Sequence, residues 1–70
     1  MTEKHAGRAK FAATLKRERE AMGLTQAQFA KKVGLKLCNI NAYEQARSRP
    51  QFETLKRIAR FLDKNLEELV

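Results

Sequence analysis

Between Lys36 and Arg49 the chain sets two asparagines, Asn39 and Asn41, among small or apolar side chains, Leu37, Cys38 and Ala42, and then adds Gln45. Cations flank the row, Lys36 before it and Arg47 and Arg49 after it. These residue types suit one chemistry. A carboxamide carries a donor and an acceptor side by side, which matches an adenine edge, and an apolar group packs on a thymine methyl. Lysine and arginine hold phosphates and fix position without reading sequence. On a helix turning about 100° per residue, Ile40 and Tyr43 share one inward side. Cys38 and Gln45 then point most directly away, Asn41 and Ala42 come next, and Leu37 and Asn39 flank that surface at the first turn. Leu37, Cys38 and Ala42 are candidate methyl readers; Asn39 and Asn41 are candidate polar readers. Most of them have another reading beside this one. The asparagines suit a solvated helix surface, Leu37 suits partial burial against a neighbouring helix, and Cys38 suits a redox-sensing thiol only in an electropositive setting.

Such a row needs a helix held outward by others. Thr25-Gln26-Ala27-Gln28 fits a capping box, with the Thr25 hydroxyl taking the amide of residue 28 and Gln28 reaching back. Phe29, Ala30 and Val33 follow on one helical face, and Gly34 can take the left-handed conformation that ends a helix. A helix over about 26–33, a tight turn and a helix over about 37–45 make a helix-turn-helix layout. Gln26, at the start of the first of these, lies where backbone amides and the helix dipole favour an anion. Ahead of the pair, a helix over about 9–22 carries Phe11, Leu15, Arg19 and Met22 on one stripe and ends at Gly23. Pro50 blocks any helix through the basic loop. A fourth helix over about 51–62 places Phe52, Leu55, Ile58, Ala59 and Leu62 at helical spacing. Asn65 with Glu68 three residues later starts a short fifth helix.

The 70 residues predict one domain: a flexible basic arm over 1–8, whose cations Lys4 and Arg8 are continued by Lys10 just beyond it, and a DNA-binding helix-turn-helix domain over 9–70. Fifteen Lys and Arg against eight acids give a net charge of +7. The excess is uneven. Lys31, Lys32, Lys36, Arg47 and Arg49 surround the helix pair against Glu44 alone, whereas Asp63, Glu67 and Glu68 crowd the end of the chain. That asymmetry gives a polyanion one face to bind. Lys56, Arg57 and Arg60 read as the solvated face of the fourth helix. There is no long apolar run and no leader-like start, so a cytoplasmic protein without membrane contact is expected. The single cysteine suits a reducing compartment. His5 and Cys38 alone cannot make a zinc site, no nucleophile–base set or Gly-rich phosphate loop is present, and the adjacent Glu67 and Glu68 face apart. No enzymatic activity and no cofactor are expected.

These residues resemble the lambda-repressor-like, Cro-type helix-turn-helix family, also called the XRE family. The resemblance spans about Leu15 to Leu69. It is carried by Arg19, the GLTQ of 23–26, Phe29-Ala30, Val33-Gly34, Ile40, Tyr43-Glu44, Arg47, Pro50, Leu55, Ile58-Ala59, Leu62 and Leu66. It implies an all-α, five-helix domain with the third helix in the major groove, Gln26 on a phosphate, 36–39 and 41–42 facing bases, and a salt bridge between Arg19 and Glu44. Arg19 on the apolar stripe agrees, because an unpaired charge there would be costly. Three positions depart from the family pattern. Lys36 stands where a small hydroxylated cap is common, and Ala46 and Asp63 stand where glycine is common. Several base-facing positions are apolar, which shifts readout toward methyl contacts and DNA shape.

The reading that follows is a sequence-specific, double-stranded DNA-binding transcriptional regulator, a repressor acting as a homodimer on a palindromic operator. A phage repressor, an antitoxin and a restriction–modification controller all fit. The alternative is a coactivator-like adaptor whose main partner is another protein. Phe61 lies off the fourth helix's stripe, and Leu66, Leu69 and Val70 crowd a short helix, so these four are the expected dimer interface.

Overall fold

The computed structural model describes the backbone of residues 3–69 and the side chains of residues 8–69. Five helices follow one another: α1 Glu3–Ala21, α2 Gln26–Val33, α3 Leu37–Glu44, α4 Phe52–Leu62 and α5 Leu66–Leu69. No described helix is long and apolar enough to cross a membrane.

One core joins them. Phe11 and Leu15 from α1, Phe29 and Val33 from α2, Ile40 and Tyr43 from α3, Leu55, Ile58 and Leu62 from α4, and Leu69 from α5 are all buried. Phe11 meets Tyr43 edge-on with ring centroids 6.1 Å apart, and Phe29 meets Phe61 edge-on at 5.4 Å. Tyr43 and Ile40 sit three residues apart on α3, so α1 and α2 grip its inner side and its outer side faces away.

α2 begins with both halves of its capping box. Gln28 N donates to Thr25 Oγ1 at 3.1 Å, and Thr25 N donates to Gln28 Oε1 at 2.9 Å. It ends at Gly34, φ 81°, where Leu35 N donates back to Ala30 O at 2.8 Å. The same closure recurs without glycine after α3 and α4. Ala46 has φ 60° and Asp63 φ 57°, and the following amides, Arg47 N and Lys64 N, donate to Ala42 O and Ala59 O. Left-handed backbone costs an alanine about 1 kcal/mol or more.

Several sequence expectations are corrected. α1 starts at Glu3, not near residue 9, so its backbone runs through most of the expected flexible arm. Glu3, Lys4, Ala6 and Arg8 are good helix formers despite lacking an apolar period. Residues 1 and 2 of that arm lie outside the described residues. Met22 is 42% exposed, just past the last residue of α1, where the chain turns away at Gly23. Phe52, the first residue of α4, is 60% exposed and carries the Lys56 ammonium 5.0 Å from its ring centroid. Leu69 does not reach the surface for a dimer. α5 folds back on α1 and α4 after the Asp63 turn, and that seats Leu69 at 0% exposure inside its own domain. Phe61 and Leu66 are half-buried against the same core. Val70 lies outside the described residues.

Candidate nucleic-acid interface

The first turn of α3 is the most open part of the helix pair. Leu37 is 49% exposed, and Cys38 and Asn39 are exposed beside it. About half of the Leu37 side chain is thus left open to solvent. Ala42 and Asn41, one turn on, are half-buried, and Gln45 at the helix end is exposed. Lys36, Arg47 and Arg49 are exposed at the two ends of the helix. Among the described residues none of these three cations has a carboxylate within ion-pair distance.

Lys36 occupies the N-cap with extended backbone, φ −89° and ψ 145°, and its side chain caps nothing. A lysine has no acceptor to offer the first-turn amides.

Arg19 and Glu44 lie within bonding distance across α1 and α3. Arg19 Nε donates to Glu44 Oε2 at 2.6 Å and Nη2 to Oε1 at 3.0 Å. Arg19 Nη1 donates to the Leu24 carbonyl at 2.7 Å, which ties the chain entering α2 to the same guanidinium. The hydrogen bond to Glu44 raises the Arg19 pKa above its usual value, against the opposing effect of burial. Among the described residues no buried side-chain polar atom lacks a partner.

From Glu44 the bonding continues outward. Gln26 Nε2 donates to Glu44 Oε1 at 3.0 Å, Asn41 Nδ2 donates to Gln26 Oε1 at 3.1 Å, and Arg47 Nη2 donates to Asn41 Oδ1 at 3.3 Å. The sequence alone presents Gln26, Asn41 and Arg47 as separate DNA-facing groups. The only signal that joins them is spatial: Gln26 and Asn41 are 15 residues apart and meet through the angle between α2 and α3. Cys38 is a free, exposed thiol whose Sγ lies 3.8 Å from Asn39 Oδ1. Lys56, Arg57 and Arg60 line a polar cleft on α4 together with Glu53 and Thr54. Arg57 Nη1 reaches the Gly34 carbonyl at 3.4 Å, at the turn of the helix pair.

Among the described residues no group of three or more His, Cys, Asp or Glu side chains is placed to hold a metal ion. What the arrangement offers is a helix with one open face that carries polar and apolar groups, with cations at both ends. A family model described as helix-turn-helix matches residues 15–69. No curated protein and no solved structure matches the chain.

Proposed function

The chain belongs to the helix-turn-helix family of lambda-repressor-like DNA-binding regulators, and from that premise we propose that it binds duplex DNA sequence-specifically, as a cytoplasmic repressor. One observation carries the reading. α3 buries Ile40 and Tyr43 yet leaves Leu37, Cys38 and Asn39 open between cations that are unpaired among the described residues, Lys36 on one side and Arg47 and Arg49 on the other. A helix seated in the major groove needs that layout, with base-facing groups in the middle and phosphate contacts at the rims. Leu37, Cys38 and Ala42 supply methyl contacts, Asn39, Asn41 and Gln45 polar ones, and Lys36, Arg47 and Arg49 the backbone clamps.

The protein acts as a homodimer on a two-fold site in this reading, with its two α3 helices about 34 Å apart. Phe61 and Leu66, half-buried at the end of α4 and on α5, are the remaining candidates for that interface. Selection of bound sequences from random duplexes tests the whole proposal at once. A palindromic consensus is expected, with log affinity falling by about 0.9 per phosphate engaged for each unit of log salt. Binding that shows neither a consensus nor a salt slope overturns it, and tight capture of a protein partner with weak duplex binding favours an adaptor instead.

A further inference from the structure

The row of bonds from Glu44 to Arg47 has a direction. A carboxylate only accepts and a guanidinium only donates. Two carboxamides stand between such ends, and each could in principle be turned either way. Only one arrangement satisfies both ends. Gln26 must point Nε2 at Glu44, because its oxygen there would face another acceptor. Its Oε1 is then left for Asn41, which must answer with Nδ2, and Asn41 Oδ1 is left for Arg47. The observed bonds at 3.0, 3.1 and 3.3 Å follow that order. Glu44 is itself fixed, since Arg19 holds both of its oxygens and its side chain is only 3% exposed.

We propose that Glu44, acting through Gln26, sets the sense in which Asn41 presents its amide to a base, so that Glu44 and Gln26 are positioning residues for base discrimination at one position of each half-site. The inference rests on the DNA-binding reading above. An asparagine free to turn over offers donor and acceptor in either order and discriminates weakly. Held in one sense, it keeps one N–H and one oxygen lone pair in a fixed left-to-right order, and that order matches one base edge and opposes its reverse. Asn41 is half-buried rather than fully exposed, as a group bonded at both ends would be. Arg47 closes the row from the solvent side, and its charge is thereby shared between the amide and any phosphate nearby.

The test uses the full chain and three variants: Asn41→Ala, Gln26→Met and both together. Gln26→Met keeps the side-chain length and leaves the Arg19–Glu44 bridge in place. In the free protein, the Asn41 side-chain amide protons should be shifted and protected from exchange in the wild type and should collapse to solvent-like signals in Gln26→Met. The Arg19 Nε proton should persist in both, which shows that the fold and the bridge survive. On DNA, Asn41→Ala identifies the base pair that Asn41 reads. Gln26→Met should flatten preference at that same base pair by roughly tenfold, and should add nothing further there once Asn41 is gone. If Gln26 served only to hold a phosphate, Gln26→Met would weaken binding to every sequence alike, so the position-specific effect is the readout. Solvent-like Asn41 amide signals in the wild type overturn the proposal. A selected site whose profile Gln26→Met leaves unchanged at the Asn41 position overturns it as well, with the DNA reading intact. A wild-type protein that selects no site overturns the DNA reading and this inference with it.

Discussion

The Arg19 guanidinium takes both carboxylate oxygens of Glu44, at 2.6 and 3.0 Å, and so locks α1 to the last residue of α3 across 25 residues of sequence. Both side chains are nearly out of water, 11% and 3% exposed. A pair in that setting is expensive to break from one side, because the survivor stays buried without its partner. Arg19→Met should therefore cost about 3–5 kcal/mol. Arg19→Met combined with Glu44→Leu should cost less than the single change, since no charge is stranded. Chemical unfolding of the two single variants and the double variant gives the coupling energy, and a value near zero would remove the bridge from any account of stability.

Local signals make part of this fold readable from sequence. The Thr25–Gln28 box, the Gly34 turn and the Ile40–Tyr43 side of α3 each depend on residues three or four apart, where helix geometry fixes who meets whom. Distant meetings are not readable in this way. Gln26 bonding Asn41, and Leu69 turning into the core, depend on interhelical angles that no short-range period encodes. Phe52 and Met22 fit apolar periods and are nonetheless exposed, because periodicity assigns a face without saying whether a neighbour reaches that turn. For a related reason the start of α1 escapes a reading by pattern, since its first two turns are helical by propensity and charge, with no apolar stripe to announce them.

Ala46 carries a backbone strain that a glycine would not. Its φ of 60° lies in the left-handed region, and Arg47 N completes the helix closure by donating to Ala42 O at 3.0 Å. Ala46→Gly should stabilise the domain by about 1 kcal/mol, the relieved strain outweighing the added freedom of the unfolded chain. The comparison is a shift in the urea midpoint at unchanged slope. A destabilised Ala46→Gly would mean that the Ala46 methyl contributes packing worth more than the strain.

Burial raises the Tyr43 phenol above its usual 10.0, and the electrostatic influence of nearby Cys38 pushes the same way. The sign follows from linkage. The unfolded chain gives up this proton near pH 10.0 while the folded domain still holds it, so the stabilisation is intact below pH 10.0 and declines as pH rises through the folded-state value. Unfolding midpoints measured from neutral to strongly alkaline pH should fall above pH 10.0, together with the appearance of phenolate absorbance. Tyr43→Phe should remove the part of the fall that tracks that absorbance. An identical alkaline profile in Tyr43→Phe would assign the decline to other groups.

Lys36 sets two demands against each other at a single position. As the N-cap of α3 it is a poor choice, for its side chain bonds none of the first-turn amides. As an exposed cation at the edge of the open α3 face it suits a phosphate. Lys36→Ser should therefore move the two properties in opposite directions. A serine hydroxyl at the N-cap should add about 1 kcal/mol of stability by taking an orphan amide. Removing the charge should weaken binding to every duplex about equally and make the dependence of log affinity on log salt shallower by about one unit. Thermal unfolding of the free protein and duplex titrations at several salt concentrations measure the two sides separately. A variant that gains stability yet keeps the full salt slope would place Lys36 away from the phosphates and leave Arg47 and Arg49 as the clamps of α3.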